Sequence, residues 1–415
     1  MSVFKPFRAV RPLPKYAADV AELPYDVMTS DEARVRAKDR PYSFLHVDKA
    51  EIDLPRDTDP YADAVYGTAA KNLRRLTEEG ICLRDETPMF YVYRQTWRGR
   101  SQTGVVGCAS ADDYLNGVIK RHELTRADKE KDRIRHVDTC DANTGPIFLA
   151  YRRSAAVDAV LDRCTAGEPV YDFVSVGEVR NQVWTVSSLS EIEALRSAFD
   201  RIPSLYIADG HHRCASAVHV AHARRREHPS YTGEEAFNFF LAVCFRADEL
   251  RILDYNRLLR DTCGLSDGAL LEKLGRRFHV TPSSSPVAPE RRHEFGFLLH
   301  GNWYRLNLRE GLADETDPVE SLDVSLLQRL ALAPTFGIAD PRRDDRIDFV
   351  GGIRGLGELE ARCRNGWAAA FSMFPTSPEE LMRIADSGAI MPPKSTWFEP
   401  KLLSGLFIHE LSEKS

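Results

Sequence analysis

Apolar residues recur at helical spacing in YADAVYGTAAKNLRRLTEEGICL, residues 61–83, and the pattern ends at Gly80. This predicts a helix with a glycine stop. AVDAVLDRCTAG (156–167) and LSEIEALRSAFD (189–200) carry the same period. Elsewhere the apolar positions crowd into short runs. MFYVYRQTWRG and SQTGVVGCAS read as two strands turning at Arg98–Arg100, and YDFVSVGEVRNQVWTVS as a further pair. NFFLAVCF and LRILDYNRLL read as buried strands, and PYSFLHVD, residues 41–48, as a short one. EFGFLLHGNWYRLNL alternates around Gly301-Asn302, a hairpin signal.

Local punctuation sharpens these elements. Thr29 and Glu32 have capping-box spacing and predict a helix from about Ser30. Ser377, Pro378 and Glu380 occupy the N-cap, N1 and N3 positions of another helix. Thr125 with Asp128 suggests a third cap. The opening KPFRAVRPLP reads as extended and proline-punctuated. TPSSSPVAPE, residues 281–290, has the composition of a loop or linker, so a boundary is expected there, with a core over 1–280 and a C-terminal region over 291–415. Strands alternating with helices imply an α/β or α+β class. No internal repeat or heptad is present.

Composition narrows the function classes. The chain has 415 residues, 43% hydrophobic and 28% charged, as in globular proteins with a sizeable core. A net charge of −6 gives no global basic field, so nucleic acid is not an expected partner. MSVFKPFRAV lacks the apolar core of a signal peptide, and no segment approaches the roughly 20 apolar residues of a membrane helix. The eight cysteines are scattered without a C-x-x-C. Together these set the expectation of a cytoplasmic protein with buried thiols and no membrane partner.

The densest chemistry lies in YIADGHHRCASAV, residues 206–218. A strand ends at Asp209, Gly210 permits a sharp turn, and a helical pattern runs from His211. Arg224, Arg225 and Arg226 near its far end suit the helix dipole. A helix N-terminus offers free N–H groups and positive potential, which together form an anion site. His211 and His212 can donate to phosphate, and Arg213 can grip it bidentately. Metal binding by the histidine pair fits less well, because neighbours at i, i+1 diverge on a helix. The plainer alternative is a pair of histidines capping a turn.

A second concentration is IKRHELTRADKEKDRIRHVDTCDANTG, residues 119–145. Lys129, Asp132 and Arg133 share a helical face, preceded by Arg121, His122 and Glu123. A charge run of this kind is ordinarily a solvated, salt-bridged helix. Here it leads into DANTGPIF, whose Asn143 and Gly145 are loop residues able to approach a ligand. Lys394 in IMPPKSTWFEPK is a candidate anion contact, but Pro393 replaces the glycine of a Walker A loop. Asp26 in LPYDV is a base, a metal ligand or an ordinary turn residue. The G-x-S-x-G, H-E-x-x-H, kinase-loop and G-x-G-x-x-G patterns are all missing.

ADGHHR resembles the strand–turn–helix box of the ParB/sulfiredoxin superfamily, in which that box holds nucleotide phosphates. Over nearly its whole length the chain is similar to the domain-of-unknown-function family 1015. The likeness runs through KPFRAVRP, LPYDV, SFLHVDKAEIDLP, GVIKRHELTRADKEKDR, ANTGPIFLAY, ADGHHR, NFFLAVCF and MPPKSTWFEPKLLSGLFI. The resemblance implies an α+β fold, with a ParB/sulfiredoxin-like mixed α/β core and additional N- and C-terminal α/β elements. Free serine kinases of the superfamily carry an Asp-Gly-His-His-Arg box, which implies phosphoryl transfer to free serine or a similar hydroxylated metabolite. His211 stands where sulfiredoxin carries its cysteine, and no helix-turn-helix follows the box. Sulfinic-acid repair and DNA partition are therefore disfavoured.

Phosphoryl transfer needs charge neutralisation, in-line positioning and a group to orient the hydroxyl. On this reading the cofactor is ATP or ADP with Mg²⁺. Gly210, His211, His212, Arg213, Arg121, Lys129 and Arg133 hold phosphates, Glu123 and His122 stand with Asp209 as catalytic residues, Asp209 is also the Mg²⁺ ligand, and Asn143 and Lys394 meet substrate. The partners are a nucleotide and a small-molecule substrate. The competing readings are a non-catalytic, nucleotide-binding ParB-like regulator and a protein with a DNA-related role. The kinase reading requires the two charged segments to converge, with Glu123 and His212 within about 15 Å.

Overall fold

The computed structural model describes residues 1–412, and its chain divides into two compact units. The first comprises Met1–Leu250 and the segment from Pro400, and the second Arg251–Glu399. The architecture is mixed α/β.

The first unit is built on a nine-stranded mixed sheet. Its strands lie in the order Ile119–Lys120, Leu205–Asp209, Ile147–Tyr151, Phe239–Arg246, Arg100–Ser110, Phe90–Trp97, Val179–Val186 and Tyr171–Ser175, with Phe4–Lys5 added to the far part of Arg100–Ser110. The long central strands follow the apolar runs, and Phe239–Phe245 is buried throughout. Such continuous burial is expected of strands covered on both faces. The turn between Phe90–Trp97 and Arg100–Ser110 is Arg98-Gly99, both at positive φ, which matches the twist of the hairpin.

Two pairings position the functional end of this sheet. Ile119–Lys120 runs parallel to Leu205–Tyr206, with Lys120 opposite Tyr206. Leu205–Asp209 runs antiparallel to Ile147–Tyr151, and its register shifts between Ile207 and Asp209. A bulge of this kind re-aims the residue after it. Asp209 therefore leaves the ladder just where the chain turns into the His211–Glu227 helix.

The helices obey the predicted periods in most places. Asp63–Glu78 buries Val65, Tyr66, Ala69, Leu73 and Leu76 on one face, and Gly80 follows at positive φ. That face joins Val10, Phe44, Val47 and Ile408 in one apolar cluster. The helix Ser30–Ala37 begins at the predicted capping box of Thr29 and Glu32.

Two local expectations are corrected. PYSFLHVD is not a strand; Leu45–Asp48 is a single helical turn. Phe44, Leu45, Val47 and Asp48 are all buried, and a short segment enclosed all round carries no period to read. The 127–140 helix starts after Arg126 with no side-chain cap, rather than at Thr125. The Thr125 hydroxyl instead donates to Glu130 Oε2 at 2.9 Å.

The second unit carries a six-stranded antiparallel sheet ordered Phe278–Ser283, Asn302–Leu308, Glu294–Leu299, Ala369–Ser372, Tyr255–Leu259 and Ile347–Gly351. The hairpin around Gly301 is present, and Pro378–Ser387 begins with the predicted Ser377–Glu380 capping box. Residues 281–290, read from composition as a boundary, lie inside this unit: the first three end the strand Phe278–Ser283, and the rest lead toward Glu294–Leu299. Leu258, Leu298, Trp303, Val350, Leu359 and Ala370 form its apolar cluster. No helix among the described residues is long and apolar enough to cross a membrane. All eight cysteines are free; five are buried and Cys263 is exposed.

Candidate functional site

The site lies at the N-terminus of the His211–Glu227 helix, in the first unit. Gly210 is its N-cap at φ 90°, and no side chain caps the first N–H groups. A residue with a Cβ would be strained at this φ, so glycine is needed for the strand to turn directly into the helix. Gly210 N donates to Asp209 Oδ1 at 2.9 Å, while Lys401 Nζ lies 2.8 Å from Asp209 Oδ2. Burial acts to raise the Asp209 carboxyl, but the Lys401 charge and hydrogen bond hold it below its ordinary value.

The parallel pairing of Lys120 with Tyr206 carries the next residues, Arg121 to Glu123, alongside Ile207 to His211. The rings of His122 and His211 meet edge to face with centroids 4.5 Å apart. Glu123 Oε2 lies 3.8 Å from His211 Nδ1. His122 is 1% exposed, and neither of its ring nitrogens has a hydrogen bond of good geometry, although the Ile207 backbone adjoins the ring. His211 Nε2 is also buried without a partner. Burial pushes both imidazoles down, His211 to about 3 with help from His212 and Arg121, so both are neutral at pH 7. One ligating atom each from His122, Glu123 and His211 fall within 4.8 Å of one another.

His212 points elsewhere. Its Nε2 accepts from Arg126 N at 3.0 Å, tying the loop after Glu123 to the helix start. An accepting Nε2 requires the neutral Nδ1–H tautomer. That agrees with a pKa lowered chiefly by burial, against the opposing pull of Asp26 and Glu130. The two charged segments thus meet, Glu123 beside His211 and Arg126 beside His212.

Arg213 is committed to the protein. Its Nη2 lies 3.3 Å from both Asp48 Oδ2 and Ser404 Oγ, and its guanidinium sits over the Tyr25 ring at 5.3 Å. Arg133 covers the same ring at 4.0 Å and pairs with Asp132 at 2.8 Å, and Asp132 accepts from Tyr66 at 2.9 Å. Thr144 donates to Asp48 Oδ1 at 2.8 Å. Burial would lift the Asp48 carboxyl, yet Arg213, His136 and Arg133 hold it below its ordinary value. On the 127–140 helix, Asp132, Arg133 and His136 are therefore buried in a paired network, while Lys129 and Lys131 stay toward solvent. In such a network each charge depends on its partner, and deleting one member costs more than the pair contributes.

The remaining candidates scatter. Lys129 reaches Tyr61 OH at 3.3 Å on the surface, and Arg121 reaches Tyr114 OH at 3.5 Å. Asn143 is buried, and its Oδ1 accepts from Leu241 N at 3.1 Å. Lys394 belongs to the second unit, at positive φ and 5.6 Å from the Tyr255 ring. A cavity of about 30 Å³ adjoins the box, lined by Asp26, Phe148, Asp209, Gly210 and Arg213 among others. That is room for a water or a small ion.

Sequence reasoning missed Lys401, Ser404, Asp48 and Tyr25. Lys401 and Ser404 fall in WFEPKLLSG, where the only signal was family likeness. Asp48 lay at the end of a segment misread as a strand.

No functionally curated protein matches the chain. Among solved structures, a free serine kinase in complex with AMP is 12% identical, covering 73% of this chain and 91% of that one at a TM-score of 0.35. A conserved hypothetical protein from Pyrococcus furiosus is 13% identical, covering 73% and 94% at 0.34. These superpositions are too loose to carry an argument about chemistry. Residues 4–325, more than half of the chain, match the family described as Protein of unknown function (DUF1015), and the protein belongs to that family.

Proposed function

We propose that the protein is a nucleotide-dependent phosphotransferase acting on the hydroxyl of free serine or a similar small metabolite, on a ParB/sulfiredoxin-like core. The observation that carries this reading is the meeting of the two charged segments at an uncapped helix N-terminus, with Glu123 3.8 Å from His211. The likeness of the Asp-Gly-His-His-Arg box to that of free serine kinases supports it independently.

On this reading the N–H groups of His211 and His212, in the first turn of the helix, receive phosphate oxygens, which the helix dipole favours. Lys401, beside Asp209, adds positive charge at the same end. Glu123, partly exposed, accepts the proton of the substrate hydroxyl. Neutral His122 and His211 pack behind it and keep that side dry. Asp26 and Asp209 line one cavity and offer the one or two carboxylates that Mg²⁺ takes alongside phosphate and water. Bound there, Mg²⁺ would neutralise phosphate charge. Arg213 and Arg133 act as supports, fixing the loops on either side.

Incubation with ATP or ADP, Mg²⁺ and L-serine tests the reading, with phosphoserine as the expected product. Nucleotide binding without turnover across a panel of hydroxylated metabolites would overturn it in favour of a non-catalytic regulator.

A further inference from the structure

The histidines of the box do not bind a metal as a pair, since His211 and His212 diverge to different partners. The second imidazole beside His211 comes from 89 residues earlier, as His122 (211 − 122). We propose that His122, Glu123 and His211 form a site for a transition cation of the Zn²⁺ class, held by two imidazole nitrogens and one carboxylate oxygen.

Three observations carry this. Their ligating atoms already lie within 4.8 Å of one another, the only such grouping of three among the described residues. A tetrahedral zinc with ligands at about 2.0–2.2 Å needs only a modest contraction of that triangle. Both imidazoles are more than nine-tenths buried, and their ring nitrogens lack a well-formed hydrogen bond: both of His122, beside the Ile207 backbone, and Nε2 of His211. Buried nitrogens are ordinarily satisfied, so orphans on two rings in contact call for a missing partner. Glu123 is 45% exposed, which leaves an entry path and room for a fourth ligand.

The donor set chooses the cation class. Mg²⁺ and Ca²⁺ prefer oxygen donors, whereas imidazole suits zinc, cobalt, nickel and copper. Two neutral imidazoles and one carboxylate with an open position make an accessible site, not a closed structural one. Asp209 supplies nearby negative charge to His122, partly offset by Arg121 near His211.

The site also gives Glu123 a second fate. A carboxylate bound to the cation cannot accept a proton, so, resting on the phosphotransfer reading, the cation inhibits transfer.

The test uses tag-free full-length protein and Zn²⁺ alone, titrated by calorimetry and against a chromophoric chelator, with Co²⁺ as a spectroscopic probe. One equivalent is expected to bind with micromolar or tighter affinity, and Co²⁺ to give a visible ligand-field band. His122→Asn, His211→Asn and Glu123→Gln should each weaken binding at least tenfold. A His219→Asn variant, which leaves the cluster intact, should bind as the unsubstituted protein does. If an altered ligand variant is unfolded by circular dichroism, loss of the Co²⁺ band on adding chelator to the unsubstituted protein, with imidazole signals in its pulsed electron resonance spectrum, replaces it. Binding that survives all three ligand substitutions, or no stoichiometric binding, overturns the site. Both readouts are independent of turnover: phosphoserine formation without zinc binding removes the metal site alone, and zinc binding without phosphoserine removes the phosphotransfer reading alone.

Discussion

Arg213 occupies the space that a side chain on Gly145 would need: an ideal Cβ there would lie 1.5 Å from Arg213 Nη1 and 2.8 Å from Ser404 Oγ. The absence of a side chain at position 145 lets the guanidinium cross to Asp48. Gly145→Ala is expected to push Arg213 off Asp48 and leave a buried carboxylate with a weakened partner. Breaking such a pair costs about 3 kcal/mol, or roughly 6–10 °C in Tm for a unit of this size. Scanning calorimetry checks it. The double variant with Asp48→Asn should lose less than the sum of the two single changes, because both act on one pair.

Glu123→Gln removes the proposed proton acceptor while keeping the shape of the side chain. Phosphoserine formation should fall at least ~100-fold, the usual lower contribution of a general base. Nucleotide-induced thermal stabilisation should persist. Equal loss of binding and turnover would show that Glu123 holds the nucleotide instead.

The first unit should weaken in mild acid. His136 is buried, and burial, with Arg133 beside it, pushes its imidazole down to about 4. Its Nε2 lies 3.0 Å from the Val47 carbonyl. A histidine depressed in the folded state contributes stability that is complete above its unfolded pKa of about 6.5 and is lost as pH falls toward 4. That loss amounts to ~3 kcal/mol at most. His136→Gln should flatten the Tm-versus-pH curve between pH 6.5 and 4, as read by circular dichroism melts.

The second unit carries the opposite slope. Burial pushes the Asp323 carboxyl up to about 7, against the His293 N–H bonds to both its oxygens and the charge of Arg292. A raised carboxyl is protonated in the fold before it is in the unfolded chain. Its stabilisation is therefore complete below about pH 4 and is lost as pH rises toward 7, by ~4 kcal/mol at most. Asp323→Asn should remove that decline, measured as the change in Tm between pH 5 and 8.

What could be read from the chain in advance was what a few adjacent residues decide. Thr29 with Glu32, Ser377 with Glu380, and the Gly210 turn are local, and each formed where the spacing placed it. The partners of Arg213 could not be read, since Asp48 and Ser404 lie 165 and 191 residues away. The meeting of His122 and Glu123 with His211 depends on a two-residue parallel pairing at Ile119–Lys120, too short to show any period. Asp132 and Arg133 of the 127–140 helix looked solvated because a sequence lists charges without their counter-charges, and here Asp48, Tyr66 and Tyr25 supply their enclosure.

Pro400–Ser412 rejoins the first unit after the whole of Arg251–Glu399 has been spelled out, bringing Lys401 to Asp209 and Ser404 to Arg213. On the ribosome, the strand and helix carrying the box emerge some 190 residues before those partners (401 − 209 = 192). During that interval Asp209 lacks the Lys401 ammonium and Arg213 the Ser404 hydroxyl. The nascent chain thus carries an unfinished anion site until Lys401 and Ser404 have been added and reach the box. Truncation near residue 399 would leave all nine strands of the first unit's sheet in the chain while removing these two contacts.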